Sequence, residues 1–170
     1  MYWELIGAII LPLIGGWISS MSMNGQVKSP DGKAWYQLLR KPSWTPPDWV
    51  FGPVWAFLYP CMGWASFIVF QKYGCITDDN ALSLMYYGGQ LIFNRTWTPI
   101  FFGLHKLEWA LVHMIALDII TVLCTIYFYD TTILAGCLMV PYLAWLTFST
   151  SLNYTIWRLN QEEQSILSVN

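Results

Sequence analysis

The stretch Trp109-Ala110-Leu111-Val112-His113-Met114-Ile115-Ala116-Leu117-Asp118-Ile119-Ile120-Thr121-Val122-Leu123-Cys124-Thr125-Ile126-Tyr127-Phe128-Tyr129 decides the fold class. It is apolar along its whole length apart from His113, Asp118 and two threonines. A helix that crosses a bilayer needs about 20 such residues. Four more stretches read the same way, at 2–23, 49–71, 81–104 and 132–157. Lipid cannot solvate free backbone groups, so each should be a helix. The alternating strands of about ten residues that mark a membrane barrel are not in the sequence. The expectation is an all-α membrane protein: one domain over 1–170, built as a five-transmembrane-helix bundle, with a polar tail at 159–170 that frays.

Composition agrees with this reading. Of the 170 residues, 56% are hydrophobic and only 11% charged, against about 25% charged in a soluble domain. Eleven tryptophans stand out. Some suit the membrane–water interface, and the rest could line a cavity for a large flat ligand. A net charge of −2 leaves no basic surface for nucleic acid. The first span does not read as a cleavable leader, because Glu4 replaces a basic start and Pro12 interrupts the apolar run.

Basic residues set the expected orientation. Lys28, Lys33, Arg40 and Lys41 lie in the first loop, Lys106 in the third, and Arg158 after the last span. With five spans all six share one side, while Lys72 stands beside Asp78, Asp79 and Asp130 on the other. Positive charge stays cytosolic, so the C-terminus is expected in the cytosol. The first loop contains Lys41-Pro42-Ser43-Trp44-Thr45-Pro46-Pro47, which cannot continue a helix. It reads either as a lid or as a rigid connector.

Polar groups at membrane depth carry whatever chemistry the chain has. A charge at mid-bilayer costs about 2.5–3.5 kcal/mol or more, so it needs a partner or a cavity. Arg95 lies ten residues before the turn at His105 and Asp118 thirteen after it. In an antiparallel hairpin their depths differ by roughly 4.5 Å. An intramembrane Arg95–Asp118 ion pair is therefore expected, with His113 as an alternative neighbour and a water-facing Arg95 as the competing reading.

Other motifs are weak. Cys61, Cys75, Cys124 and Cys137 have no CxxC spacing, and with two histidines they suggest no metal site. Two glycosylation sequons, at Asn94 and Asn153, fall inside spans. Leu152, Tyr154 and Arg158 fit a loose cholesterol-recognition pattern. No hydrolase triad, HExxH or phosphate loop is visible, so an enzyme is not expected.

Taken together, the motifs resemble the translocator protein family, the peripheral-type benzodiazepine receptors of animals and the tryptophan-rich sensory proteins of bacteria. The likeness runs through Trp35-Tyr36, Lys41 to Pro47, Pro53-Val54-Trp55, Gly89-Gln90-Leu91, Asn94, Trp97, Pro99 to Gly103, Pro141 to Leu146, and Leu152-Asn153-Tyr154 with Trp157-Arg158. It is nearer the animal members. The resemblance implies a five-helix bundle in the outer mitochondrial membrane whose cavity opens to the cytosol. It implies binding of cholesterol, protoporphyrin IX, haem and benzodiazepine-type drugs, with a transport or sensing role. No cofactor is obligatory. The pocket it implies contains Ser20, Met23, Phe51, Gly52, Val54, Trp55, Trp109, Val112, Ala116, Trp145, Ser149, Leu152 and Asn153. Leu152, Tyr154 and Arg158 fall on the family's cholesterol motif. Trp55 and Trp145 correspond to tryptophans tied to light-dependent porphyrin breakdown in a bacterial member, so a porphyrin-degrading enzyme is one alternative and a ligand-regulated scaffold another.

The chain also departs from the family pattern. Arg95 stands where an aromatic residue is usual, and His113 where an acidic one is. The first loop is longer. Ser20, Ser149 and Phe51 alter the implied pocket, so drug affinity is expected to be weak. Met85-xxx-Gly89 breaks the small-residue spacing of the homodimer contact, leaving that partner open.

Overall fold

The computed structural model describes residues 2–21 and 35–169; at 2, 4, 14–21 and 162–169 it describes the backbone alone. The elements are α1 (Tyr2–Met21), a short α2 (Trp35–Leu38), α3 (Asp48–Tyr73), α4 (Asp78–Thr98), a π-helical turn (Pro99–Gly103), α5 (Leu107–Thr131) and α6 (Ile133–Val169). The five long helices form a closed ring: α1 packs on α3, α3 on α6, α6 on α5, α5 on α4, and α4 returns to α1.

Helix boundaries follow local chemistry. Gly74, at φ 71°, caps α3 by donating its N–H to the Phe70 carbonyl, a left-handed position that favours glycine. Thr77 and Asn80 then form a capping box that starts α4. Between α5 and α6 the turn closes on Thr132, whose hydroxyl accepts from the Ala135 N–H at 3.1 Å. Helix α6 continues past the last apolar run to Val169. Residues 159–169 contain neither glycine nor proline and are rich in good helix formers, so nothing local stops the helix.

The inner faces repeat at helical spacing. Leu58, Met62, Ala65 and Val69 of α3 meet Leu117, Cys124 and Phe128 of α5 and Met139, Tyr142 and Leu146 of α6. The outward positions are apolar too, with Trp64, Ile92, Ile115, Ile119, Val122 and Ile126 all exposed. A helix apolar on both faces suits a lipid surround. By length and composition α3, α5 and α6 up to Gln161 are able to cross a membrane. By contrast α4 carries Gln90, Asn94 and Arg95, which lower its apolarity although Gln90 is fully buried.

A close backbone approach in the ring lies between α1 and α3. Pro12 has no N–H to return to the Ala8 carbonyl. That carbonyl sits against Gly63, where an added Cβ would lie 2.5 Å from its oxygen. The missing side chain is what lets the two backbones touch. Gly63→Ala should therefore lower stability by about 1–3 kcal/mol in thermal unfolding of the detergent-solubilised protein. Gly88→Ala, where a Cβ meets nothing within 4 Å, should leave the transition in place. Equal behaviour of the two variants would refute the contact.

Candidate ligand-binding site

Inside the ring, at the end where α3 begins and α6 passes Ile156, the helices enclose a cavity of about 540 Å³. That lies within the usual size of a small-molecule site, about 300–1,000 Å³. Helix α3 contributes Phe51, Gly52, Trp55 and Tyr59; α4 contributes Asn94, Trp97 and Thr98. The π-helical turn adds Phe101 and Phe102, α5 adds Met114 and Leu117, and α6 adds Trp145, Ser149, Leu152, Asn153 and Ile156. Aromatic walls are cross-braced: Phe51 meets Trp145 edge-on at 5.6 Å, and Trp97 stacks on Phe101 at 4.9 Å.

The floor is a hydrogen-bonded chain through three helices. Tyr59 donates to Asn94 Oδ1 at 3.3 Å, Asn94 Nδ2 donates to the Tyr142 hydroxyl at 3.2 Å, and Tyr142 donates to Gln90 Oε1 at 2.9 Å. Above this floor the polar atoms are few. The indole N–H groups of Trp97 and Trp145 and both amide atoms of Asn153 are buried without a protein partner. Buried polar atoms normally have partners, so these four are the natural points of attachment for a ligand.

A strap from Trp35 to Pro47 covers the mouth. Its helix α2 rests on the π-helical turn: Trp35 packs on Phe101 at 5.6 Å and on the His105 ring at 4.2 Å, and Tyr36 packs on Phe102 at 5.6 Å. Lys41 Nζ lies 3.8 Å from the centre of the Tyr36 ring, a cation–π contact. The far side is fastened to α6. Arg40 N–H donates to Asn160 Oδ1 at 3.1 Å, and Asn160 Nδ2 donates back to the Arg40 carbonyl at 3.0 Å. Burial, with the Asp48 carboxylate adding to it, raises the Tyr36 phenol above its ordinary value, so a neutral hydroxyl faces the mouth at physiological pH.

Comparison with known proteins matches residues 8–158 to the TspO/MBR family. The chain belongs to that family. It is 41% identical to a translocator protein of Homo sapiens over 155 residues, covering 91% of this chain and 89% of the relative. It is 38% identical to a tryptophan-rich sensory protein of Cereibacter sphaeroides over 136 residues, covering 80% and 82%. It is 36% identical to the protein CrtK of Rhodobacter capsulatus over 144 residues, covering 84% and 87%. With its apolar helices, the TspO/MBR membership makes this a multi-pass membrane protein with a binding or sensing role.

The structure brings together Phe51, Gly52, Trp55, Trp145, Ser149, Leu152 and Asn153 of the implied TspO/MBR pocket. Val54 instead packs beside the core. Trp109, Val112 and Ala116 sit elsewhere, on an outward groove with Phe93, Ile100, Leu104 and Lys106. The reason is helix phase. Met114 and Leu117 hold the inner face of α5, and the positions 109, 112 and 116 share another face, one to two turns apart. The Ser20 side chain and Met23 lie outside the described residues. The cholesterol motif divides in the same way: Leu152 lines the cavity, whereas Tyr154 is exposed beside Trp157 and Arg158 is exposed one turn further on. On helix α4, Gly89 turns toward Ile120 of α5, at 3.8 Å from a built Cβ, while Met85 faces outward.

The Arg95–Asp118 pair is not formed. Arg95 Nη2 donates to the Leu11 carbonyl of α1 at 2.6 Å, and Asp118 Oδ2 accepts from the Thr150 hydroxyl of α6 at 2.6 Å. The two groups turn toward different neighbours, Arg95 to α1 and Asp118 to α6. His113 engages α4 through Nε2, which lies 2.9 Å from the Phe93 carbonyl and 3.0 Å from Thr96 Oγ1. Sequence reasoning also missed Tyr36, Tyr59, Asn94, Trp97 and Phe101 as cavity residues. Asn94, Trp97 and Phe101 recur at helical spacing, and that was the available signal.

These separate attachments have a consequence for mutagenesis. Arg95→Leu and Asp118→Asn should destabilise independently, with the double variant equal to the sum within about 0.5 kcal/mol in chemical or thermal unfolding. Rescue of one by the other would restore the direct pair. Asn160→Ala, which removes both hydrogen bonds to Arg40, should speed ligand release several-fold with little change in melting temperature, read by stopped-flow fluorescence.

Proposed function

We propose that this TspO/MBR protein binds flat or fused-ring apolar molecules, namely cholesterol and porphyrins such as protoporphyrin IX or haem, in a transport or sensing role. Benzodiazepine-type drugs would share the site. The observation that carries this reading is the apolar, aromatic cavity, among whose lining residues Trp97, Trp145 and Asn153 hold buried polar atoms without a protein partner. Stacking on indole faces suits a macrocycle, and a few placed donors suit propionates or a sterol hydroxyl. We place the chain in the mitochondrial outer membrane with five spans, its strap and C-terminus cytosolic. Support for the orientation comes from the basic residues Arg40, Lys41, Lys106 and Arg158 at that end.

Titration with protoporphyrin IX in the dark, read by tryptophan fluorescence, tests the reading. Saturable quenching that a competing ligand reverses is expected. Asn153→Leu should weaken binding about tenfold, the loss of roughly one hydrogen bond. Absence of saturation for both protoporphyrin IX and cholesterol at micromolar concentration would reject it.

One arrangement favours a second reading, light-driven porphyrin breakdown. Trp55 stacks on Tyr59 at 5.0 Å, and Tyr59 heads the hydrogen-bonded floor. A tryptophan at the cavity wall is thus in contact with a tyrosine whose proton already points to an acceptor. A new porphyrin product that forms only under illumination, and is lost in Trp55→Phe, would establish it.

A further inference from the structure

The outward groove that takes Trp109, Val112 and Ala116 is a second concavity. It has a volume of about 550 Å³ and runs between α4, the π-helical turn and α5. Its origin is local. Pro99 supplies the carbonyl that accepts from the Leu104 N–H at 2.9 Å, a wide turn. Ile100 in that turn and Leu104 at its end line the groove together with Phe93. His105 follows at φ 54°, a left-handed backbone uncommon for a non-glycine residue. Its ring is held 4.2 Å from Trp35. The reversal delivers Lys106 to the head of α5 and to the rim of the groove.

The floor is fixed as well. His113 stacks on Phe93 at 4.7 Å, and its Nε2 is engaged by the Phe93 carbonyl and Thr96. The rest of the lining is apolar, with one cation at one end. Leu104, Trp109 and Val112 are exposed at 66%, 67% and 54%. In a spanning bundle these surfaces face lipid, not water.

We propose that this groove holds one phospholipid with an anionic headgroup, an acyl chain lying along Phe93, Val112 and Ala116 and the phosphate seated on Lys106. Charge complementarity selects the occupant. A polar rim with a single ammonium above an apolar channel matches an anionic amphiphile, and basic residues at the ends of membrane helices attract acidic headgroups. Trp109 sits where an indole anchors at the interface. Glu108 is exposed nearby but does not line the groove. A sterol would bring no charge for Lys106. The site is separate from the main cavity and does not depend on what that cavity binds.

The test is native mass spectrometry of the full chain released from micelles carrying either phosphatidylglycerol or phosphatidylcholine. One retained phosphatidylglycerol is expected, held about tenfold more firmly than phosphatidylcholine, a charge-assisted contact's worth. Lys106→Gln should remove that preference and Lys106→Arg should keep it. Ala116→Trp, which fills the channel, should abolish retention while leaving the melting temperature and protoporphyrin titration unchanged. Equal retention of both lipids, indifference to Lys106→Gln, or displacement by equimolar cholesterol would overturn the proposal.

Discussion

The hydrogen bond from Tyr142 to Gln90 is the constraint on which the interior depends. Both residues are fully buried, and hydrocarbon offers neither group another partner. The bond between the Tyr142 hydroxyl and Gln90 Oε1 ties α6 to α4, and the Asn94 and Tyr59 links extend the tie to α3. Below this chain the bundle is filled by residues such as Met62, Cys124, Phe128 and Met139. Above it the same helices diverge around the cavity. The polar chain therefore marks where packing ends and binding space begins.

The π-helical turn at Pro99 serves two surfaces at once. On the inside it sets Phe101 and Phe102 into the cavity wall and gives Trp35 and Tyr36 their seat. On the outside it shapes the groove along Phe93 and Ala116. Wide turns of this kind often occur at functional sites. Because His105 packs against Trp35 and also precedes Lys106, the strap and the outer groove share a support.

Much of the chain's organisation was legible in its apolar runs. A long helix covers each of the apolar stretches read from the sequence, α6 running on to Val169, because long apolar segments in lipid have little alternative to helix. The walls supplied by Phe51, Trp55, Trp145 and Asn153 were legible through family motifs. What was not legible was rotation. Asp118 and Arg95 turn to Thr150 and Leu11, not to each other. Trp109 and Met114 lie on one helix, but only Met114 reaches the cavity. In a helix apolar on all sides, periodicity does not say which face is inward.

The sequence by itself determined that this is an all-helical membrane chain of the TspO/MBR kind. Composition and hydrophobic run length are local properties, and backbone satisfaction in lipid leaves few solutions. Only the tertiary structure decided which tryptophans face a cavity, that the Trp35–Pro47 segment straps its mouth, and that the intramembrane charges find separate partners. Those outcomes depend on the phase of each helix against its neighbours, set by contacts such as Gly63 on Ala8 and Tyr142 on Gln90. Residues far apart in the chain make these contacts, and no local pattern encodes them.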